Sequence, residues 1–383
     1  MTLTVRSLNP ARDEAIETLF DRAFDREGRE SALFRELAER PHPAFDPKLC
    51  LVAEEEGRAV GAALFLPRRQ WIRGVPIATA ACAPVGVLPD ARGRGVGEQL
   101  LEEGAKRLRE RGTRALVAIG APAFFERNGF APAFGFHTCH VPDELLEASG
   151  IEAAGDEWRG LRGEDLAQLP ALSEACQDGT SGAELRTADV SEWESAAPQC
   201  WAMACESGGR TIAYLRFRRR EELEVTEAAA ADKEGVRAIV SMLRRLCAEH
   251  AAPRVEVHIA PQHPLARALF HLGCPIESSN FAGAAWLKVL QPAELLRDLA
   301  PVWRRPLFFV PGQPELSFDL AGTAIRLGLE NGDPVVTKDR CEMNHAELPK
   351  GWIESLLTGQ RGAEELRFEV SEKQLGRQAD ETL

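Results

Sequence analysis

The residues best suited to chemistry form one run, Arg92-Gly93-Arg94-Gly95-Val96-Gly97. An apolar run ends just before it at Val85-Gly86-Val87, and a turn follows at Pro89-Asp90. Just after it, Val96, Leu100, Leu101, Ala105 and Leu108 recur at the 3.6-residue period of a helix, which Gly112 is placed to end. A strand, a glycine turn and a helix N-terminus in that order make an anion cradle. Glycines let main-chain N–H groups come close to a pyrophosphate, and the first helical turn adds unpaired donors and a partial positive charge. Arg92 and Arg94 add mobile positive charge suited to phosphate. Two other nucleotide loops fit less well: no Gly-Lys-Ser/Thr follows, and the spacing Gly-x-Gly-x-Gly departs from the dinucleotide fingerprint.

The elements around this run read as an α/β unit. Leu3 to Leu8 alternate as a first strand, and Asp13 to Phe24 read as a helix with Ile16, Leu19, Phe20 and Ala23 on one face. Ser31 is placed to cap a second helix through Ala38, ended near Pro41. Leu49–Glu54 and Ala59–Leu66 flank a hairpin turn, and Trp71–Ile77 continues the meander. Pro84 predicts that the strand before the glycine turn is bulged or unpaired on one side. After the long helix, Ala115–Ile119 reads as a buried strand, Ala123–Asn128 as a short helix stopped by Gly129, and Phe130–Val141 as a strand pair.

From Gln199 the same plan recurs faintly. Trp201–Cys205 and Thr211–Phe217 bracket a Gly208-Gly209 turn, and Glu222–Thr226 is a strand. Ala228 to Gly235 reads as a loop, with Asp232 capping a helix that carries Val236, Ile239, Val240, Leu243 and Leu246. Arg254–Ile259 is a strand and Pro264–Leu272 a short helix before Gly273. No Arg-x-x-Gly-x-Gly occurs at the corresponding turn. Beyond residue 290 the pattern shifts to short strands, at Leu307–Val310, Glu315–Leu320, Thr323–Leu329, Pro334–Thr337 and Arg367–Val370, with helices at Pro292–Leu299 and Trp352–Leu357.

Composition narrows the function class. The 383 residues are 44% hydrophobic with a net charge of −13, which argues against nucleic acid as main partner and is compatible with a cationic amine. No apolar run of membrane-spanning length occurs, and the N-terminus lacks a basic-then-apolar leader pattern. Nine cysteines, dispersed and without a Cys-x-x-Cys pair, point to a reducing cytoplasm and give no metal-ligand spacing.

The order strand, Arg-x-x-Gly-x-Gly, long amphipathic helix resembles the acyl-CoA-binding segment of the GNAT superfamily of N-acyltransferases. Arg92, Gly95 and Gly97 occupy its signature positions, and Val85, Gly86 and Val87 the strand end whose backbone pairs with pantetheine. The resemblance implies that Gly93, Arg94, Val96, Glu98, Gly120 and Ala121 complete the coenzyme site, with acetyl-CoA as cofactor. It also implies that two strands part between Val85–Val87 and Ala118–Gly120. The whole chain resembles the layout of the enhanced-intracellular-survival (Eis) N-acetyltransferases. That layout has a GNAT unit at 1–150, a degenerate GNAT-like unit at 151–290, and a sterol-carrier-protein-like α+β domain at 291–383. The fold class implied is α/β and α+β, with mixed sheets flanked by helices. The resemblance further implies a homo-oligomer, a hexamer, acting on amines such as lysine side chains, polyamines and aminoglycosides.

Acyl transfer to an amine needs a neutral nucleophile, donors for the oxyanion and a proton for the departing thiolate. A strand N–H near Val87 is placed to serve the oxyanion. In the resembling family the proton donor is often a tyrosine on the short helix before Gly-Phe. Here that position is Phe125, which has no proton to give, and the only tyrosine is Tyr214. Three readings follow. Water, Cys139 or a histidine supplies the proton; or the cleft binds CoA as a sensor or scaffold with little catalysis; or Phe125 reshapes the acyl site. For the base, the resemblance offers the terminal carboxylate of Leu383. His42, His137 and His140 are residue-level candidates, each with a structural alternative. Glu54–Glu56 is a hairpin tip that could attract an amine, and Trp71, Phe24 and Phe34 are either pocket walls or core. The expectation is an acetyl-CoA-dependent N-acetyltransferase; the rival is a CoA-binding regulatory protein.

Overall fold

The computed structural model describes residues 3–9, 16–24, 29–39, 44–120, 122–151, 157–193, 200–279, 285–308, 315–341, 345–346 and 351–358. The chain begins β1 (Leu3–Ser7), α1 (Ile16–Phe24), α2 (Arg29–Glu39), β2 (Cys50–Glu55), β3 (Arg58–Ile72), β4 (Val75–Val87), α3 (Val96–Glu110), β5 (Ala115–Ala118), α4 (Pro122–Arg127), β6 (Ala131–Phe134) and β7 (Phe136–Pro142). It continues with α5 (Asp143–Ala148), β8 (Glu157–Gly160), α6 (Leu169–Ala175), β9 (Cys200–Ser207), β10 (Arg210–Arg219), β11 (Leu223–Ala230), α7 (Lys233–His250), β12 (Arg254–Val257), α8 (Pro264–His271), β13 (Ile276–Ser279) and β14 (Ala285–Val289). It then runs through α9 (Pro292–Asp298), α10 (Ala300–Phe308), β15 (Glu315–Leu320), β16 (Thr323–Glu330), β17 (Asp333–Thr337), β18 (His345–Ala346) and α11 (Trp352–Thr358).

Among the described residues three mixed sheets result, in the orders β1-β2-β3-β4-β5-β14-β6, β13-β7-β12-β11-β10-β9-β8 and β17-β16-β15-β18. The first two exchange a strand. β7 follows β6 in sequence but pairs with β12 and β13, while β14 returns from the second half to pair with β5 and β6. The expected strand pair over Phe130–Val141 is therefore two strands in different sheets. Only Gly135 separates them, and a hairpin needs a loop of at least two residues, so the chain runs straight on into the neighbouring sheet.

The helix α3 forms because its apolar stripe is continuous. Val96, Leu100, Leu101, Ala105 and Leu108 are all buried against the first sheet, in one core with Leu51, Leu64 and Phe65. Gly104 lies on the same stripe, where a Cβ would meet the Phe65 ring at 2.1 Å, so helix and sheet approach at glycine distance. In the second half α7 is built alike, with Ile239, Val240, Leu243 and Leu246 buried, and Asp232 caps it as expected.

Three local expectations are corrected. Ser31 sits inside α2, and its hydroxyl bonds Asp21 at 2.5 Å. Ala228–Ala230 belong to β11 and are buried, since small apolar residues fit a crowded central strand as well as a loop. Leu307 and Phe308 end α10 in place of a strand; a four-residue apolar run is too short to fix a period. Arg216 and Arg218 pair with Glu227 and Glu224 across the β10–β11 ladder. The expected strand Arg367–Val370 lies outside the described residues.

The last segment is anchored to the first sheet. The Ser355 and Thr358 hydroxyls donate to the Pro132 and Ala133 carbonyls of β6 at 2.8 and 2.6 Å. Arg114 at the start of β5 pairs with Asp298 of α9 at 2.6 Å. Ile77, Val117 and Leu287 of the first sheet share a core with Phe318, Ile325 and Val336 of the third.

Candidate active site

β4 and β5 pair in parallel only from Thr79↔Ala115 to Cys82↔Ala118. Beyond Cys82 the two strands part, and a register shift on the β3 side falls at the same level, around Pro84. Among the described residues, β4 continues to Val87 held by β3 alone. The Leu88 N–H donates to the Val60 carbonyl at 2.9 Å. In an antiparallel ladder the N–H groups alternate, so those of Val87 and Val85 point away from β3, toward the edge that β5 has left. Gly86 is needed because α1 crosses there: a Cβ would meet Phe20, Ala23 and Phe24 at 3.0–3.2 Å.

At the upper end of this gap the chain turns through Pro89–Ala91 into α3. Gly93 and Gly95 have φ of +72° and +78°, a conformation that glycine adopts without penalty. No atom lies within 4 Å of where a Cβ would stand on either, so the approach is open. Among the described residues, the main-chain N–H groups of Gly93, Arg94, Gly95, Val96, Gly97 and Glu98 have no acceptor; the first helical bond there runs from the Gln99 N–H to the Gly95 carbonyl. These six donors crown the N-terminus of a 15-residue helix, where the dipole favours an anion. Gly97 packs on Phe124 of α4, with 3.0 Å left for a Cβ.

The two arginines differ from expectation. Arg92 donates to the Ala23 carbonyl at 2.6 Å and to the Val87 carbonyl at 3.3 Å, tying α1 to the strand end. Arg94 pairs with Glu55 at 3.0 Å and donates to the Asp90 carbonyl. Both are tied within the fold, Arg92 by main-chain carbonyls and Arg94 by a carboxylate and a carbonyl. Gly120, with φ +119°, follows β5 on the other lip. Ala121 and Leu383 lie outside the described residues.

Phe125 is buried in the first core, with ring centroids 5.3 Å from Phe124 and 5.1 Å from Phe130. Phe34 and Trp71 are also buried, and Phe24 packs on the first core, so all three serve packing. Glu54 pairs with Arg6 at 2.6 Å and Glu55 with Arg94.

Below the parting of β4 and β5 lies a cavity of about 650 Å³ that includes Cys82, Ala83, Ala118 and Ile119. One wall is a strap that sequence reasoning missed. Residues 180–185 run along β3, with the Trp71 N–H donating to the Ala183 carbonyl and the Gly182 N–H to the Trp71 carbonyl, both at 2.8 Å. The period-two alternation of Gly182-Ala183-Glu184-Leu185-Arg186 is the signal that could have found it. Of the histidine candidates, His137 lines this cavity and His140 does not; His42 lies outside the described residues. His137 Nδ1 is 2.7 Å from Ser278 Oγ, and burial holds its pKa below the ordinary value, so the ring is neutral near pH 7. Cys139 lies in the second core, where a hydrogen bond with Cys274 and burial push its thiol far up. Burial does the same for Cys82 at the gap. Neither thiol is a ready proton source.

The corresponding places in the second half are filled by the chain itself. Asp232 Oδ1 accepts from the N–H groups of Glu234 and Gly235 at 2.9 and 3.0 Å, using the donors at the start of α7. His263 Nε2 lies 3.0 Å from the Ala228 carbonyl oxygen on β11, and its Nδ1 accepts from the Leu265 N–H at 3.1 Å. Those partners put the proton on Nε2 and leave no basic nitrogen.

Residues 4–133 match the family model described as "Acetyltransferase (GNAT) domain". The Escherichia coli protein named uncharacterized N-acetyltransferase YjhQ is 35% identical over 91 residues, 23% of this chain and 49% of that protein. The E. coli protein named uncharacterized N-acetyltransferase YhbS is 30% identical over 128 residues, 33% of this chain and 73% of that protein. The chain thus spans about half the length of the first relative and about three quarters of the second. Among solved structures, a GCN5-related N-acetyltransferase from Anabaena variabilis covers 96% of this chain and 93% of its own, with TM-score 0.75 and 16% identity. Eis1 from Mycobacterium abscessus covers 96% and 92%, with TM-score 0.64 and 16% identity. At these identities the likeness is one of fold.

Proposed function

The chain belongs to the GNAT family of acetyltransferases, and on that premise we propose that it transfers an acetyl group from acetyl-CoA to an amine. The observation that carries this reading is the row of six main-chain N–H groups from Gly93 to Glu98, without acceptors among the described residues, above an unpaired strand edge. The row suits the pyrophosphate, and the strand edge suits the pantetheine amides. Bound there, acetyl-CoA supplies the acetyl group as a thioester.

The chain's own residues have separable tasks in this reading. Gly93 and Gly95 keep the approach open, Arg92 fixes the turn against α1, and the outward N–H groups of Val85 and Val87 orient the acyl arm. His137, neutral and facing the cavity, takes the proton from the attacking amine, directly or through water. Phe125 keeps the site dry and packed and carries no proton. The thiolate then takes its proton from water or from His137, which costs rate without abolishing turnover, since general acid help is worth about 10²–10⁴-fold.

We also hold residues 151–290 to be a second GNAT-like unit that does not bind coenzyme, a reading supported by the Asp232 and His263 contacts. The sterol-carrier likeness and hexamer of the Eis layout remain part of the same proposal. Titration calorimetry with CoA tests the central claim. One equivalent should bind, binding should be lost in Gly95→Glu, and thiol release from acetyl-CoA should appear with some amine. Binding without release across lysine peptides, polyamines and aminoglycosides would favour a CoA-dependent regulatory protein. No binding at millimolar CoA would end both readings.

A further inference from the structure

The cavity below the gap carries five charged side chains: Arg68, Glu184, Arg186, Arg218 and Glu227. Two of the cations and one anion are committed within the fold. Glu227 accepts from Arg186 at 2.7 Å, from Arg216 at 3.2 Å and from the Tyr214 hydroxyl at 2.8 Å. Arg218 donates through Nε to Glu224 at 2.6 Å. That leaves Arg68 and Glu184. Their ion pair is 3.6 Å long, beyond hydrogen-bond reach, and Glu184 stands 3.9 Å from Arg186 as well. Arg68 Nε is buried with no acceptor among the described residues. That atom is enclosed by the fold, but the Arg68 side chain as a whole is 24% exposed and lines the cavity, and a guanidinium is shaped to hold a carboxylate through two parallel bonds.

The charge pattern bears on what the cavity admits. A polycation would meet three guanidinium groups and two carboxylates, Glu184 and Glu227, a lining of net positive charge. A molecule with a carboxylate would instead complete Arg68. Resting on the acetyl-transfer reading above, we propose that the acceptor is an amine that also carries a carboxylate, held by Arg68, with the amine directed to the Cys82–Ala83 end where the strands part. Arg68 is then a specificity-determining residue, and Glu184 tempers its charge in the free protein.

Matched pairs test this on the full chain. L-Lysine and cadaverine, or L-phenylalanine and phenethylamine, differ only by the carboxylate. Titrated calorimetrically into the protein saturated with CoA, the carboxylate member of each pair should bind at least tenfold tighter. Arg68→Gln should erase that preference and leave the Kd for CoA unchanged, which also shows that the variant is folded. Arg68→Lys should keep part of it, and Glu184→Gln should keep or strengthen it. Equal or tighter binding of the decarboxylated members, of spermidine or of an aminoglycoside would overturn the proposal, as would a preference that survives Arg68→Gln or no binding by any member. Loss of CoA binding in the unaltered protein would instead remove the acetyl-transfer reading on which the proposal rests.

Discussion

The Asp232 carboxylate lies 3.0 Å from the Gly235 main-chain nitrogen, at the place in the second half where the first half leaves its helix N-terminus uncapped. Two helices of similar build therefore meet opposite ends. α7 is satisfied by a side chain three residues away, whereas Gly95 caps α3 with no side chain to offer. Capping stabilises; an open N-terminus is stable only at a cost of about 1 kcal/mol and is available to an external anion.

Removing that carboxylate should act on stability alone. Asp232→Ala should lower unfolding free energy by about 1 kcal/mol through loss of the cap. The freed donors should not create a second coenzyme site, because Asp232 holds only the Glu234 and Gly235 N–H groups, two donors against the six from Gly93 to Glu98. Denaturant melts read the first effect. CoA stoichiometry by calorimetry should stay at one; a value of two would contradict the argument.

Gly104 gives a test of packing under the site. An alanine there would place its methyl 2.1 Å from the Phe65 ring, which is itself fully buried. Overpacking of this kind costs about 1–3 kcal/mol, more than the roughly 1 kcal/mol that alanine gains over glycine in a helix. Gly104→Ala should therefore lower the melting temperature. Phe65→Leu in the same chain should cost less than in the parent, and a double-mutant cycle showing strict additivity would mean the two do not touch.

His263 predicts a pH dependence. Burial pushes its pKa down to about 4, against a smaller opposing effect of the Ala228 carbonyl. The unfolded chain takes up this proton near pH 6.5 while the folded one does not, so the unfolded state binds more protons between the two values. Stability should be full above pH 6.5 and fall as the pH drops toward 4, by about 3 kcal/mol at most. The carboxylates act lower. Burial pushes Asp165 up, but Arg159 and the Arg162 N–H outweigh it, so its contribution is lost below pH 3.8. His263→Asn, which keeps an oxygen for the Leu265 N–H, should flatten the denaturation midpoint between pH 6.5 and 4. An unchanged slope would mean that another group titrates there.

Much of this is legible from local pattern. The stripe of α3, the glycine turn before it, and the Asp232 cap are each set by residues within one or two helical turns, which is the range over which period and capping rules act. The strand exchange is not legible. Phe136–Pro142 reads as a strand, but its partners β12 and β13 lie more than a hundred positions away in sequence. Arg68, Glu184 and Arg186 escape notice for a related reason: they face one cavity only because residues 180–185 lie along β3, more than a hundred positions away in sequence. Arg92 stands out in the motif, yet its partner is not foreseeable, since the Ala23 carbonyl becomes available only where α1 ends against β4.

That contact yields the last prediction. Arg92 holds the α1 C-terminus and the β4 end together through charged hydrogen bonds at 2.6 and 3.3 Å, and the turn that bears Gly93 and Gly95 hangs between them. Its effect on coenzyme binding is then geometric, not a direct attraction of phosphate. Arg92→Lys keeps the charge but cannot reach both carbonyls with one planar group. If the arginine positions the turn, Arg92→Lys and Arg92→Gln should weaken CoA binding by similar factors, about tenfold, and both should lower stability by about 1–2 kcal/mol. If instead it attracts phosphate by charge, the lysine variant should retain most of the affinity at low salt and only the glutamine variant should fail. Calorimetric Kd values for CoA at two ionic strengths separate the two, because loss of positioning changes little with salt while loss of a phosphate contact is screened.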